Sequence, residues 1–228
     1  MNHVLDNPIY NALSTGNKSF SNDSRGILIF PPDVAPFVGL KNNSTDELAQ
    51  LYNMAPDGSN FVLFSVSEVS VPKPWEVIGQ MEIWQMVYNN VTIPANFYAE
   101  SHSLTENDVP AMLELTELTK PGPFLKNTFR FGNYLGFKCK GALVAMAGQR
   151  LQPLPYVEIS AVCTHPEHTG KGYASSLITE QVKLITTQGN IPFLHVRTDN
   201  LSAIRVYEKL GFSIRRMIYV SSFKKLLV

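Results

Sequence analysis

A glycine-bearing loop at residues 169–174, with the sequence Thr-Gly-Lys-Gly-Tyr-Ala, is the segment best suited to bind an anionic ligand. The short apolar run before it begins at Tyr156 and ends at Pro166, and its β-branched residues predict a strand. The segment after the loop, which extends to Gln188, has apolar residues at helical spacing. A helix N-terminus after a glycine loop offers unpaired backbone N–H groups and a positive dipole. The sequence therefore predicts an anion site where the strand passes into the helix.

Two common phosphate-binding loops do not fit these residues. A P-loop needs Ser or Thr after its Gly-Lys pair, but Gly170-Lys171 is followed by Gly172. A dinucleotide-binding loop needs a third glycine where Ser175 stands. A third pattern does fit: Gln or Arg, two residues, Gly, one residue, then Gly or Ala, with Thr169 in place of the long first side chain. An ordinary strand-to-helix turn with glycines for close packing is the alternative for the loop alone.

A second motif follows another short apolar run at 192–197, which predicts a further strand. The motif consists of Asn200, Ala203, Tyr207, Leu210, Gly211 and Phe212. Together, the loop and this motif closely resemble the two signatures of the GNAT (Gcn5-related) N-acetyltransferases, in the same order and separated by one helix and one strand. The resemblance covers about residues 103–225 and is closest to bacterial members that carry an extra N-terminal half.

The resemblance implies an α/β fold, in which a mixed, mostly antiparallel sheet carries helices on both faces behind a smaller α/β half. A polar stretch near residue 100 predicts the boundary, with an N-terminal half at 1–100 and a GNAT catalytic domain at 101–228. The N-terminal half could itself be a degenerate GNAT-like unit. No long Gly/Ser- or Pro-rich linker separates the halves, so we expect the first to wall part of the acceptor site. Residues 1–25 are polar and are expected to be loosely held.

One stretch of the N-terminal half allows two interpretations. The run from Val77 to Tyr88 predicts a strand that places Trp84, Met86 and Tyr88 on one face and Ile83 and Val87 on the other. The favoured interpretation is a strand buried on both faces, because such residues are usually buried. The alternative is that the aromatic face forms a wall of the acceptor pocket.

The resemblance also implies acetyl-CoA as a co-substrate and no metal ion. In GNAT proteins the central strand diverges from its neighbour, and its exposed backbone pairs with the pantetheine arm of the cofactor. The matching positions are Val162, Cys163 and Thr164. The pyrophosphate is then expected to bind the backbone amides at the helix N-terminus, which requires no arginine-rich pocket. Those amides belong to Thr169, Gly170, Lys171, Gly172, Tyr173, Ala174 and Ser175.

Three further residues acquire roles from the resemblance. Tyr207 matches a tyrosine beside the thioester sulfur, which predicts a general acid for the departing thiolate, with a core tyrosine as the alternative. Asn200 matches a residue that contacts the cofactor arm, and a plain helix cap is compatible with that role. Glu158 lies in an otherwise apolar strand, where a carboxylate is costly unless it is paired or functional. It matches the general base of some members, and a structural buried acid is the alternative.

Two other chemistries are weighed and rejected. Cys163, His165 and His168 have a spacing that could ligate zinc, but no second cluster supplies a fourth ligand. A hydrolase dyad built on Cys163 lacks a helix N-terminus or a basic neighbour that would lower the pKa of the thiol.

The composition agrees with an enzyme of the cytoplasm. With 228 residues and 44% hydrophobic content, the chain can bury a sizeable core. Its 19 basic and 19 acidic residues give a formal net charge of zero, so no nucleic-acid or membrane partner is expected. No apolar run is long enough to span a bilayer, and the first twenty residues lack a secretory pattern. The 2 cysteines suit a reducing compartment.

The sequence thus predicts an N-acetyltransferase that moves an acetyl group from acetyl-CoA to a primary amine by direct attack in a ternary complex. A small-molecule amine is the expected partner, and its identity and the oligomeric state stay open. One alternative is a GNAT-fold protein that binds acyl-CoA as a sensor or scaffold without turnover, which Glu158 and Tyr207 argue against. Another is an N-acyltransferase that uses a different acyl-CoA.

Overall fold

A computed structural model describes residues 3–90 and 101–226 of the chain. The strands are β1 (Asn22–Ser24), β2 (Ile27–Ile29), β3 (Val38–Gly39), β4 (Asn60–Ser65), β5 (Glu76–Tyr88), β6 (His102–Ser103), β7 (Leu135–Cys139), β8 (Ala142–Gln149), β9 (Tyr156–Thr164), β10 (Ile191–Arg197) and β11 (Phe212–Lys224). The α-helices are α1 (Pro8–Ser14), α2 (Thr45–Met54), α3 (Val109–Thr119), α4 (Tyr173–Thr187) and α5 (Leu201–Lys209). Among the described residues, none of the helices combines the length and apolar character that crossing a bilayer requires.

Eight strands form one mixed sheet in the order β4-β11-β5-β10-β9-β8-β7-β6, and β1, β2 and β3 form a small separate sheet. Within the described residues, β9 and β10 are the one parallel pair of the large sheet, and its other neighbours run antiparallel. The predicted α/β fold with a mostly antiparallel sheet is therefore confirmed.

The strand β5 places the N-terminal half inside this sheet. It pairs with β10 on one side, from Phe193 opposite Val87 to Arg197 opposite Ile83. On its other side it pairs with β11 along nearly its whole length. The polar stretch at 99–103 that predicted the domain boundary lies partly outside the described residues, which omit 91–100. Division at residue 100 therefore stays a prediction, while hydrogen bonding is continuous between strands from either side of it.

Helix positions follow from the end signals of the sequence. The Ser44 side chain accepts from the backbone N–H of Glu47, and the Glu47 carboxylate accepts from the N–H of Ser44, which starts α2 with a capping box. The Asn200 side chain accepts from the N–H of Ala203 and starts α5 in a similar way. These local bonds satisfy amides that the first turn leaves unpaired.

The described residues up to Asn17 are packed against the core rather than loosely held, so the expectation was wrong for that part of the 1–25 segment. Leu5, Ile9, Ala12 and Leu13 are at most 1% exposed and belong to a large apolar cluster against the sheet. This short amphipathic pattern is hard to detect in the sequence because polar residues surround it. Burying these side chains fixes the chain more strongly than its Asn- and Ser-rich composition suggests.

The predicted burial of β5 on both faces is confirmed for its second half. Trp84, Met86 and Tyr88 contact a core cluster that includes apolar residues of α4 and α5. Ile83 and Val87 contact the cluster formed with the N-terminal segment. The first half of the strand, by contrast, is mainly exposed.

Candidate active site

The site forms where β9 and β10 separate. The two strands pair only at Ile191–Tyr156, Pro192–Val157 and Phe193–Glu158. Beyond these positions, all of which lie in the described part of the chain, residues 159–164 have no partner on that side. A shift in the register of β8 and β9, together with Ala161 at φ 51°, bends β9 here. The resulting opening, called the strand cleft below, has a volume of about 320 Å³.

The strand cleft contains several of the residues that the sequence analysis singled out. Its lining includes Glu158, Val162, Cys163, Thr164, Asn200 and Tyr207. Backbone at 162–164 thus faces a cavity, with hydrogen-bonding groups that no neighbouring strand occupies on that side. An extended chain that carries amides could pair with this edge as an added strand.

The loop at 169–174 adopts a conformation that depends on its glycines. Gly170 and Gly172 have φ values of 74° and 78°, in the left-handed region that favours glycine. Within the described structure, the backbone N–H groups of 170–175 have no backbone or side-chain acceptor outside helix α4. A Cβ atom at Gly170 would meet nothing within 4 Å, so the loop is open on that side. The unpaired N–H groups of this loop and its open side fit a pyrophosphate group.

Thr169 and Tyr173 show how the loop is held. The Thr169 hydroxyl donates to the Pro166 carbonyl at 3.0 Å, so this side chain stabilises the turn. The Tyr173 ring stacks on Phe137, with ring centroids 4.8 Å apart. Because the loop amides require no long side chain to be exposed, the replacement of Gln or Arg by Thr169 leaves the anion site geometrically intact.

Tyr207 and Asn200 border the strand cleft from helix α5. Tyr207 is 8% exposed, and burial raises the pKa of its hydroxyl to about 12. The phenol is therefore protonated at neutral pH. Among the described residues, none forms a hydrogen bond with its hydroxyl group. The Asn200 Oδ1 atom caps the helix, which leaves its Nδ2 amide available for a ligand.

Glu158 is buried in a dense set of hydrogen bonds. Arg150 donates to its two carboxylate oxygens at 2.9 and 2.6 Å, and the Leu151 N–H donates at 3.2 Å. The His195 Nδ1 atom lies 2.7 Å from the same carboxylate. Although burial alone would raise the pKa of this carboxyl, the charge and hydrogen bonds of Arg150 and the hydrogen bond to His195 lower the pKa to about 2.

His195, Gln85 and Arg150 are site residues that the sequence analysis missed. The Gln85 Nε2 group lies 3.2 Å from His195 Nε2 and also donates to the Leu5 carbonyl. This pattern assigns the His195 proton to Nδ1, where it is donated to Glu158. Polar side chains at the centres of two apolar strands were the available signal. What the sequence could not give was the register that brings those strands side by side.

A second opening, called the side cavity below, adjoins the strand cleft and has a volume of about 260 Å³. Residues that line both openings include Lys120, Arg150 and His195. The N-terminal half supplies an apolar wall to the side cavity. That wall consists of Phe37, Val62, Phe64, Met81 and Ile83. It uses the Ile83 face of β5, so the alternative in which Trp84, Met86 and Tyr88 form a pocket wall was wrong for this cavity.

The thiol of Cys163 is buried, and burial raises its pKa to about 11. A nucleophilic role is therefore disfavoured at neutral pH. In the part of the chain that the structure describes, no three His, Cys, Asp or Glu side chains are grouped to hold a metal ion.

A parallel strand pair that separates halfway, beside a glycine loop and a helix N-terminus, is an arrangement suited to an anionic ligand in an α/β protein. Residues 134–220 match the family model described as FR47-like protein. A crystal structure from Novosphingobium aromaticivorans DSM 12444, assigned to the GNAT acetyltransferase family, is 32% identical over 99% of this chain and 100% of its own, with a TM-score of 0.91. The chain therefore belongs to the GNAT family.

Other relatives agree at lower coverage. The chain is 32% identical to the N-alpha-acetyltransferase RimI of Mycobacterium tuberculosis in an alignment of 94 residues, and the match covers 38% of this chain and 58% of that protein. It thus spans little more than half the length of this curated relative. A GCN5-related N-acetyltransferase from Kribbella flavida matches 96% of this chain and 95% of its own at 12% identity and a TM-score of 0.64, a likeness of fold alone.

Proposed function

We propose that this protein is an N-acetyltransferase that transfers the acetyl group of acetyl-CoA to a primary amine in a ternary complex. The observation that carries the proposal is the strand cleft, where β9 and β10 separate after three paired positions beside unoccupied amides at 170–175. The GNAT membership and the RimI relative support transfer to an amine. Space for an acceptor on the other side of the thioester is available in the side cavity, which shares Lys120, Arg150 and His195 with the cleft.

The loop and the strand would bind different parts of the cofactor. Amides at 170–175 would hold the pyrophosphate, and the unpaired edge of β9 at 162–164 would hold the pantetheine arm. Both contacts use backbone groups, so they orient the thioester without a charged pocket. The acyl carbonyl then lies near a backbone edge whose N–H groups can stabilise developing negative charge.

Tyr207 is the proposed general acid. Its hydroxyl is protonated at neutral pH because the pKa is raised to about 12. The phenol lines the strand cleft, where a departing thiolate would form. A purely structural tyrosine would have no need of a place beside the cavity.

Glu158 is proposed to position its neighbours rather than to remove the proton of the amine. A carboxylate with a pKa of about 2 is a weak base at neutral pH, and four hydrogen bonds occupy its oxygens. The same bonds fix Arg150 and His195 at the junction of the two openings. The general-base role predicted from the sequence has less support from this geometry than the alternative of a buried structural acid.

Two alternatives keep the fold and change the function. Binding of acyl-CoA without turnover would leave the side cavity without a purpose, and the lining residues that the two openings share favour transfer. A larger acyl group would need space beyond the thioester, which the side cavity would have to share with the acceptor. The location in a cytoplasm and the absence of a bound metal remain predictions.

A thiol-release assay with purified protein, acetyl-CoA and a panel of primary amines tests the proposal. We expect amine-dependent release of free CoA thiol and an acetylated amine of matching amount by mass spectrometry. Thermal stabilisation by acetyl-CoA with no thiol release from any amine would support the binding protein instead. Faster release from a longer acyl-CoA would identify the other acyltransferase.

A further inference from the structure

The charged groups around the side cavity all have one sign. Three of the residues that line it are basic, namely Lys120, Arg150 and Arg197. Across the described residues, no Asp or Glu side chain lines this cavity. A site for a simple cationic amine or a polyamine would be expected to present carboxylates, because these stabilise an ammonium group. The lining has the opposite character.

Arg150 is arranged so that part of its guanidinium remains free. Its Nε and one Nη atom donate to Glu158, while its centre lies 5.0 Å from the centroid of the Phe37 ring. Among the described residues, the other Nη atom has no hydrogen-bond partner. Glu158, which balances the charge, lines the strand cleft but not the side cavity, whereas Arg150 lines both openings and keeps that unpaired Nη group. Such donors suit a planar carboxylate.

Lys120 adds a second cation at the same junction. It ends helix α3 in the left-handed conformation and is exposed, and within the described structure no hydrogen bond or ion pair engages its ammonium group. Arg197 differs, because Asp199 pairs with it at 2.6 Å on the surface. Lys120 and the free side of Arg150 are therefore the unsatisfied positive groups of the junction.

From this arrangement we propose that the acceptor carries a carboxylate beside its amine and an apolar side chain, as an apolar α-amino acid does. Arg150 and Lys120 bind the carboxylate, and the apolar wall of Phe37, Val62, Phe64 and Ile83 receives the side chain. The amine then lies at the junction with the strand cleft, facing the thioester. This assignment rests on the proposed transferase function and names its substrate class.

The same charges help to remove the proton of the amine. Cations near an ammonium group disfavour its charged form and lower its pKa. The free amine is thereby favoured at the junction without a strong protein base. This effect accounts for a transferase site in which Glu158 has a pKa of about 2. After losing one proton to solvent, the nitrogen forms the bond to the acyl carbon, and the carbon–sulfur bond breaks as the thiolate takes a proton from Tyr207. The nitrogen then gives up a second proton, which restores the phenol of Tyr207 and leaves a neutral amide.

The test compares three acceptors of one shape at saturating acetyl-CoA. They are L-leucine, L-leucinamide and 3-methylbutylamine, which keep the apolar chain and the amine but differ at the carboxylate. We expect kcat/KM for L-leucine to exceed those for the other two by at least about tenfold, since both lack the charge that Arg150 and Lys120 bind. Glycine, which lacks the apolar side chain, should also be poorer than L-leucine.

A pair of variants connects the preference to the cavity. Lys120→Gln should raise KM for L-leucine by up to about fivefold, the range for an exposed ion pair, and should raise KM for 3-methylbutylamine by less, because that amine has no carboxylate to lose contact. Lys126→Gln removes a similar exposed charge outside the cavity and should change neither value. Equal loss for both acceptors in Lys120→Gln would contradict the carboxylate contact.

The outcomes separate this inference from the proposed function. Equal or faster turnover of the amide or the simple amine would overturn the amino-acid assignment while the transferase proposal stands. If acetyl-CoA binds but neither these three acceptors nor any amine of the wider panel is acetylated, both proposals are overturned. A preference for L-leucine that Lys120→Gln reduces supports both.

Discussion

The strand cleft and the side cavity are adjacent, but they offer different groups to their ligands. The cleft uses backbone groups from one contiguous stretch, the strand β9 with the loop and helix that follow it. The side cavity uses side chains from distant parts of the chain, among them Phe37, Val62, Ile83 and Val220. Backbone binding tolerates changes of side chain, as Thr169 illustrates. Side-chain binding changes with nearly every substitution, so specificity for the acceptor belongs to the cavity.

The first way to break this comparison is to block the backbone site. Gly172→Glu places a carboxylate at the helix N-terminus, where the pyrophosphate is expected. For the parent protein at a hundred times Kd, acetyl-CoA should add about 2.7 kcal/mol to the free energy of unfolding, and the variant should gain none. Because Gly172 has a φ of 78°, the unliganded variant is also expected to melt at a lower temperature.

Gly172→Asn is the matched control for that measurement. Asparagine tolerates the left-handed conformation and adds no charge, so it separates backbone strain from repulsion of the ligand. We expect Gly172→Asn to retain much of the stabilisation by acetyl-CoA. Stabilisation of Gly172→Glu equal to that of the parent would show that the pyrophosphate binds elsewhere.

The second prediction concerns Tyr207, a side chain that acts inside the backbone-built cleft. Tyr207→Phe removes one hydroxyl, so the Kd for acetyl-CoA should change little. Turnover should fall by roughly ten- to ten-thousand-fold, the range for loss of a general acid. Raising the pH supplies more free amine but does not replace the lost proton donor, so the ratio of parent to variant rates should persist between neutral and mildly alkaline pH. Turnover equal to that of the parent would show that Tyr207 is a core tyrosine and not the general acid.

The third prediction tests whether Glu158 supports the junction by charge. Glu158→Gln leaves the buried Arg150 guanidinium without its partner, and the free energy of unfolding at pH 7 should fall by about 3–5 kcal/mol in urea denaturation. Asp199→Asn, which breaks the exposed Arg197 pair, should cost about 1 kcal/mol or less. A fall no larger for Glu158→Gln than for this control would contradict the structural role.

The pH dependence of stability gives an independent readout for Glu158. Its pKa is about 2 in the folded protein, against an ordinary value of 4.5 for an unperturbed Glu, so its stabilising contribution is present above pH 4.5 and is lost as the pH falls toward 2. That contribution is about 3 kcal/mol at neutral pH. Glu158→Gln should lack this part of the acid sensitivity. A base, in contrast, would show a defect in turnover that shrinks as the pH rises.

The smallest expected effect lies in the apolar wall. Val62→Ala should raise KM for the acceptor by about three- to tenfold, because the cavity loses apolar contact with the substrate side chain. The Kd for acetyl-CoA should be unchanged, since Val62 lines the side cavity and not the strand cleft. Val71→Ala, a similar truncation of a partly buried valine in another cluster, is the control. Equal effects on both ligands would mean that the two regions are not separate in function.

The two regions also differ in how far the sequence predicted them. The loop, the strands on either side of helix α4 and the Asn200 cap are local patterns, and the structure has them where the spacing placed them. The contacts of the loop with a ligand stay predictions. Burial of the N-terminal helix was missed, because its short apolar pattern is interrupted by Asn and Ser.

The rest of the site depends on contacts between distant residues. Gln85 lies beside His195 because β5 enters the sheet and pairs with β10, and Phe37 lies beneath Arg150 although the two residues are far apart in the sequence. Spacing along the chain carries no information about that insertion. The pairing of Glu158 with Arg150 was likewise hidden, so the same carboxylate was predicted to be a base before its partners were known.

The insertion of β5 also has a consequence during synthesis on the ribosome. Both of its sheet neighbours, β10 and β11, are encoded roughly a hundred residues downstream, which corresponds to about 5–20 s of translation. Through this interval the strand carries unpaired N–H and C=O groups beside Ile83 and Met86, which are buried in the finished protein. The nascent chain therefore exposes an apolar strand with unpaired backbone groups, which is a segment suited to binding by chaperones at the ribosome exit.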